Sequence, residues 1–395
     1  MTNRPLRLLT VGHSYVVALN RRLPHEMARV SGGRWEITAV APRFVRSELR
    51  NITLEAGADE ACRVEPVNLY ASKYIHVMAF DLRLRELLRR GWDMVYIYQD
   101  AYIFAGWQSA YWTPAKIPFV FFTNQNITKK YPPPFRWMER YCVERCAGWI
   151  GCGDTVIEAL VKKGYGRRPH RRIGYGVDAE HFRPDQQRRQ RMRRQLGWDD
   201  SIPVIAFLGR LVAEKGLALL TSALDDLHSP WRALFIGGGP MAGTLQQWSS
   251  KYPGRVRIVT ATHDEVPAYL NAADILCAPS QTMPNWREQF GRMIIEGFAS
   301  GLAVVGSDSG EIPHVIADAG VVLAENDRAA WVQALDRLLQ DDALRADLSQ
   351  RGRLRALEHF AWPVIARQHL DFFEEILRGD AGAPAGSHAR EGELE

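Results

Sequence analysis

Two rhythms of apolar residues alternate along this chain: short β-branched or aromatic runs, and helix-length stretches in which apolar side chains return every third or fourth position. The first rhythm marks strands buried on both faces and the second marks amphipathic helices, so their alternation predicts βαβ units with parallel sheets. In the first half, strands are predicted at Leu6–Val11, Trp35–Val40, Met94–Tyr98, Pro118–Thr123 and Trp149–Cys152. Helices are predicted near Tyr15–Val30, Phe80–Arg89, Phe135–Cys146 and Thr155–Lys163, the last with Asp154 as its N-cap. The alternation restarts with strands at Val204–Leu208, Ala233–Ile236, Val256–Val259, Ile275–Ala278, Ala303–Gly306 and Val321–Leu323. Helices follow at Asp327–Leu339 and Asp342–His359, and Trp362-Pro363 opens a final one through Leu377, with Pro363 at its first position. The fold class is α/β, two doubly wound domains in series. The boundaries expected are a domain over 1–175, an Arg-rich connection over 176–202, a second domain over 203–361, a terminal helix over 362–378 and a disordered Gly/Ala/Ser-rich tail over 379–395.

Composition narrows this picture without changing it. With 395 residues, 46% of them hydrophobic and 24% charged, the chain can fill ordinary cores, which excludes a disordered, collagen-like or coiled-coil protein. Runs such as Ile117–Phe122 fall well short of the roughly 20 residues that cross a bilayer, and Met1–Pro5 leads into a strand without a signal-peptide pattern. A cytoplasmic protein is expected. The five cysteines, Cys62, Cys142, Cys146, Cys152 and Cys277, read as reduced core residues, and no metal site is predicted. The net charge of +5 collects in Arg167–Arg172 and Arg188–Arg194. Such runs read as solvated faces, with a phosphorylated ligand, nucleic acid or an anionic membrane as the other uses, the last also open to Arg21, Arg22 and Arg29 of the first helix.

Open α/β sheets bind ligands beyond the carboxyl ends of their strands, so candidate chemistry is sought there. Gly12-His13 follows the first strand, where Gly12 permits close backbone approach, and Gln99-Asp100 follows Met94–Tyr98. Arg210 and Lys215 follow the first strand of the second domain as two exposed cations able to converge on a diphosphate. Gly237-Gly238-Gly239 offers unhindered N–H groups for phosphate or ribose, or simply a tight turn. Glu288 lies before, and Glu296 inside, a helix that begins near Phe290-Gly291 and ends at Gly301; its N-terminus suits an anion. Glu296 sits on an apolar face (Met293, Ile294, Ile295, Phe298), so its carboxylate requires a partner.

Glu288 and Glu296 in a Glu-x7-Glu arrangement, Gly209-Arg210 with Lys215 upstream, and Gly301–Ile312 downstream resemble the family 4 glycosyltransferases, over about 151–323. Gly174–Asp178 and Phe182-Arg183-Pro184 resemble that family's interdomain segment. The resemblance implies a GT-B fold, two Rossmann-like domains facing across a cleft, and a retaining, metal-independent transfer without a cofactor from a UDP- or GDP-sugar to a hydroxyl acceptor. It also implies roles: Arg210 and Lys215 on the diphosphate, Glu296 on the ribose, Glu288 on the sugar, the backbone of Phe290 and Gly291 on phosphate or sugar, and Gly12 near the donor substrate. Many members carry a histidine where this chain has Thr123-Asn124-Gln125-Asn126. The amides there, Asn126 among them, can donate hydrogen bonds but cannot accept a proton as imidazole does; His13 and His76 are the substitutes, each also readable as structural, and Asp100 is a separate cleft candidate for acceptor or sugar. The aromatic run Tyr102–Trp112 reads as core, or as a surface that stacks on a sugar or aglycone. Rival readings are a GT-B phosphorylase or sugar-nucleotide epimerase, and a nucleic-acid-binding protein, which no helix-turn-helix, RRM or zinc motif supports.

Overall fold

The computed structural model describes residues 4–46, 51–57 and 60–381, and the chain divides into two compact units, Met1–Gly174 with Ile365–Glu395, and Tyr175–Val364. The first unit is built on a seven-stranded, all-parallel sheet in the order His170–Arg172, Gly148–Gly151, Phe119–Thr123, Met94–Ile97, Leu6–Val11, Trp35–Pro42, Arg63–Val67. Its five central strands are those expected from the apolar runs. The two edge strands carry Arg63, Arg171 and Arg172, and such charged edges, which discourage strand addition, also erase the continuous apolar signal.

The expected helix Tyr15–Val30 is broken into 3₁₀ turns at His13–Val16 and Ala18–Arg21 and a helix at Arg22–Val30. Val17 is extended between the turns, and Asn20 Nδ2 donates to the Ser14 carbonyl at 2.9 Å, so a side chain takes an acceptor that a continuous helix would need. Gly153, not Asp154, caps helix Asp154–Lys162; Asp154 pairs instead with Arg172 at 3.0 Å. The run Tyr102–Trp112 contains a helix, Phe104–Trp112, whose apolar residues surround it and so show no amphipathic rhythm.

The second unit carries six parallel strands in the order Val256–Val259, Arg232–Ile236, Val204–Leu208, Ile275–Ala278, Ala303–Ser307, Val321–Leu323, all at the expected places. Two cores sandwich this sheet, one around Leu276, Ile294 and Phe298, the other around Phe207, Phe235 and Trp331. The final helix, Trp362–Arg378, has Pro363 as its second residue and from Ile365 belongs to the first unit, where His369 Nε2 lies 3.1 Å from Tyr96 Oη. The expected tail falls outside the described residues from 382 onward. Among the described residues all five cysteines are buried thiols, and no helix is long and apolar enough to cross a membrane.

The Arg-rich connection is a helix of the second unit, Gln186–Leu196, capped by Asp185, which accepts from the backbone of Gln187 and Arg188. The expectation of a solvated face fails for two of its arginines. Arg189 and Arg193 bind the two oxygens of Asp274 at 2.9 and 2.6 Å, Arg193 also donates to the Ala272 carbonyl, and its side chain is only 2% exposed. They are anchors that dock this helix on the strand Ile275–Ala278 region, because a buried guanidinium is tolerable only when its fork is filled.

Candidate active site

Strand order in the second unit reverses between Val204–Leu208 and Ile275–Ala278, which makes the loops leaving those two strands, 209–216 and 279–291, the switch point where doubly wound sheets hold ligands. The loops are sewn together by the Gln281 amide, which donates to the Glu214 carbonyl at 2.9 Å. Two glycines make the approach possible. Gly216, at φ +71°, would place a Cβ 1.7 Å from the Pro279 carbonyl oxygen, and Gly310, at φ +58°, would place one 2.0 Å from that of Glu288. Any side chain there would push the loops apart.

At this junction Lys215 Nζ lies 2.5 Å from Glu288 Oε2, and the Ser280 hydroxyl donates to the same oxygen at 2.8 Å. The side chains of Lys215 and Glu288 are 12% and 8% exposed, and the ammonium sits 5.3 Å over the Trp286 ring. The expectation of an exposed Lys215 is therefore corrected: burial demands a counter-ion, and Glu288 supplies it. Arg210 does remain open, 60% exposed, with a long contact of 3.4 Å to Glu214. Ser280 is a site residue that sequence reasoning misses. Its one signal is position, two residues beyond the carboxyl end of strand Ile275–Ala278.

Beside this pair the triglycine turn meets the Arg210 loop backbone to backbone, Leu211 N donating to the Gly238 carbonyl at 2.9 Å. A Cβ on Gly238 would touch nothing closer than Thr260 Oγ1 at 3.8 Å, so this stretch of backbone is approachable. The helix Arg292–Ala299 starts from Gly291, while Phe290 is buried edge-on against Tyr175 and Phe360. On its second turn, Glu296 makes no side-chain hydrogen bond or ion pair among the described residues. Its apolar surroundings push the carboxyl from the ordinary 4.5 up to about 7, with Arg292 only partly offsetting them. The partner that the sequence demands for Glu296 is thus not supplied by the described fold.

In the first unit the order reverses between Leu6–Val11 and Met94–Ile97. Gly12 lies against the Tyr15 ring, and His13 Nδ1 is 2.9 Å from Gln99 Nε2, with burial pushing the imidazole down to about 4 so that it is neutral at physiological pH. Asp100 is committed: its Oδ1 accepts from Thr123 Oγ1 at 2.5 Å and the Asn124 amide at 3.1 Å, and burial raises its pKa. Gln125 joins a buried pair, Glu139 with Lys163 at 2.5 Å, and Asn126 beside it is itself buried. His76 is exposed, its ring 5.7 Å from Tyr102 and 5.9 Å from Phe135.

Part of the basic surface expected from the sequence is engaged in internal pairs. Arg171 pairs with Glu375 and Arg172 with Asp154; in the first helix Arg22 and Arg29 flank Glu26, and buried Arg21 grips Glu60 and the Tyr15 and Glu55 carbonyls.

Residues 188–355 match the family model of glycosyl transferases group 1. Over 197 residues the chain is 34% identical to the GDP-mannose-dependent alpha-(1-6)-phosphatidylinositol monomannoside mannosyltransferase of Mycolicibacterium smegmatis, covering 47% of this chain and 51% of that protein. It is 30% identical over 228 residues to the D-inositol 3-phosphate glycosyltransferase of Corynebacterium kroppenstedtii, 54% of this chain and 49% of that one. The chain thus spans about half the length of these curated relatives. Sucrose-phosphate synthase from Thermosynechococcus elongatus superimposes with a TM-score of 0.71 at 17% identity, over 95% of this chain and all of that one. The fold is GT-B.

Proposed function

We propose that this chain is a nucleotide-sugar-dependent glycosyltransferase of the family 4 type, moving a hexose-like sugar from a UDP- or GDP-sugar to a hydroxyl acceptor with retention and without a metal ion. The observation that carries the reading is the unpartnered carboxylate of Glu296, one helical turn from the Gly291 end of its helix, on the sheet whose switch point holds Lys215, Glu288 and Arg210. A ribose diol supplies what Glu296 lacks, two hydroxyl donors in a site that otherwise makes an ionised carboxylate costly.

In this reading the departing diphosphate carries the developing charge, and catalysis consists of meeting it with groups already in place. Lys215 is the point charge, Arg210 the open fork, and the first amides of helix Arg292–Ala299 add their dipole. Glu288, pinned by Ser280 and Lys215, orients the sugar through its hydroxyls. We assign the acceptor side to the first unit, with Gly12 and His13 toward the donor sugar and Asn126 toward the transfer step. Asp100, already bound to Thr123 and Asn124, acts as a positioning residue for that loop rather than as a base. The acceptor's proton then passes to the leaving phosphate on the same face of the sugar. Mass spectrometry of the enzyme quenched during turnover is expected to show no sugar bound to the protein, and a glycosyl adduct would exclude this route.

The test of the activity is release of nucleoside diphosphate from UDP- or GDP-sugars in the presence of candidate acceptors, with inorganic phosphate as the alternative acceptor to separate a phosphorylase. Arg210→Ala is expected to slow release about a hundredfold, as for loss of one charge-stabilising group, with no change in melting temperature. An Arg210→Ala enzyme as fast as wild type removes Arg210 from the diphosphate site.

A further inference from the structure

The chemistry proposed for the first unit lies at the carboxyl edge of its sheet, and the opposite, amino edge carries a charged recess that this chemistry does not use. Three adjacent strands supply one wall: Arg7 near the start of Leu6–Val11, Thr38 in Trp35–Pro42, and Arg63 and Glu65 in Arg63–Val67, with Thr38 opposite Arg63 in the strand register. The other wall is the end of helix Leu82–Leu88, through Leu87, and the turn after it, through Arg90 and Trp92. The recess measures about 270 Å³, its mouth included. At about 3.3 Å per residue, Arg7 lies roughly 16 Å along its strand from Gly12 at the first unit's switch point.

Its donors exceed its acceptors. Thr38 is 3% exposed, and its hydroxyl makes no hydrogen bond among the described residues. Glu65, 4% exposed, cannot fill all the guanidiniums around it: Arg63 takes Oε1 at 2.7 Å, Arg83 takes Oε2 at 2.9 Å, and Arg90 is left at 3.7 Å, beyond hydrogen-bond reach. Burial alone would raise the Glu65 carboxyl, and these three cations more than reverse it, holding it below the ordinary 4.5. Arg7 is fixed in place, 4.7 Å over the Trp92 ring and donating to the Arg90 and Gly91 carbonyls, while its contact with Glu36, at 3.6 Å, is to a carboxylate 58% exposed. Four guanidiniums therefore meet two carboxylates. The adjoining described charges do not cancel this excess. Arg4 and Asp93 pair with each other, Glu60 is held by Arg21, exposed Arg85 and Arg89 outnumber Glu86 on the helix, and Asp81 caps that helix at its far end.

Forked donors in excess, beside a buried hydroxyl with a proton to donate, fit a tetrahedral oxyanion, because a planar guanidinium binds phosphate oxygens through paired N–H groups. We infer that this recess binds a phosphoryl group, as inorganic phosphate or as the phosphomonoester of a small molecule. The inference does not rest on the transfer chemistry proposed above. The experiment is calorimetric titration of the full chain with inorganic phosphate and, separately, with glycerol 3-phosphate, using chloride at matched ionic strength as the blank. Binding of at least one is expected. If both bind, the recess reads the phosphoryl group alone; glycerol 3-phosphate alone shows that the mouth also reads the ester's body, and phosphate alone shows a recess closed to esters. Arg90→Gln is expected to weaken binding about tenfold, as for loss of one charge-assisted hydrogen bond. Thr38→Val weakens it about fivefold, as for one neutral hydrogen bond, while its melting temperature without phosphate is at or above that of the wild type, since the hydroxyl has no protein partner to lose. Arg210→Ala leaves this binding in place, which separates the recess from the diphosphate site proposed in the second unit. Absence of binding with both ligands, affinity unchanged in both Arg90→Gln and Thr38→Val, or binding removed by Arg210→Ala overturns the inference.

Discussion

Replacing Lys215 with alanine is expected to abolish transfer, by at least about a thousandfold, and at the same time to destabilise the second unit. The second effect follows from the 2.5 Å pair with Glu288, both side chains being mostly buried. Removing one member of a buried pair strands the other charge and typically costs about 3 to 5 kcal/mol. A simple loss of activity in Lys215→Ala is therefore ambiguous. The double variant Lys215→Met, Glu288→Gln resolves it, since neutralising both partners removes the stranded charge while the Ser280 hydroxyl can still donate to the side-chain amide oxygen introduced opposite it. Thermal melting of the double variant is expected to recover most of the loss, and turnover is expected to remain absent. A double variant no more stable than Lys215→Ala would show that the pair is not the source of the instability, and a Lys215→Met enzyme with wild-type turnover would remove Lys215 from the chemistry.

The second large effect is at Glu296, where folding and ligand binding should respond to pH in opposite ways. Its folded pKa of about 7 lies above the ordinary 4.5. Below 4.5 the group is protonated in both folded and unfolded chains and costs nothing. Between 4.5 and 7 the unfolded chain releases the proton while the folded one retains it, so stability falls as pH rises; above 7 the full cost remains, about 3 kcal/mol at most. Glu296→Gln is therefore expected to raise the melting temperature at pH 8 and leave it unchanged at pH 4.5. Nucleotide binding has the reverse sign, because ribose hydroxyls donate to the ionised carboxylate. Affinity is expected to rise about tenfold between pH 6 and pH 8 as the group ionises, and calorimetric titration of Glu296→Gln should show weak binding without that rise. Equal stabilisation by glutamine at both pH values would contradict the assignment of the shift to this carboxylate.

Much of this architecture is legible in the sequence because parallel strands covered on both faces must be largely apolar; Val204–Leu208 is wholly so, and Leu6–Val11 is interrupted by Arg7 and Thr10. The placement of Arg210, Lys215 and Glu288 on loops follows from the same rule, since the residues after such strands lie at the carboxyl edge of the sheet. What is not legible are relations between distant positions. Nothing local tells that Arg193 meets Asp274, 81 residues later, so an anchoring arginine looks like a solvated one. The Lys215–Glu288 contact spans 73 residues, so an exposed lysine is the natural expectation. Ser280 and Gly310 are ordinary residues in sequence, and they matter because the loops converge around Glu288. The edge strands Arg63–Val67 and His170–Arg172 escape for the opposite reason: their charge is a local signal that conceals a strand.

The central claim, that the second unit holds a nucleoside diphosphate with Glu296 on its ribose, is tested most directly by a thermal-shift panel of UDP, GDP, ADP, dTDP and NAD on the wild type and Glu296→Ala, because a ligand that binds only the folded chain raises its melting temperature. The account predicts a shift with UDP or GDP in the wild type that is largely lost in Glu296→Ala. No shift with any of the diphosphates, or a shift of the same size in both proteins, would contradict it.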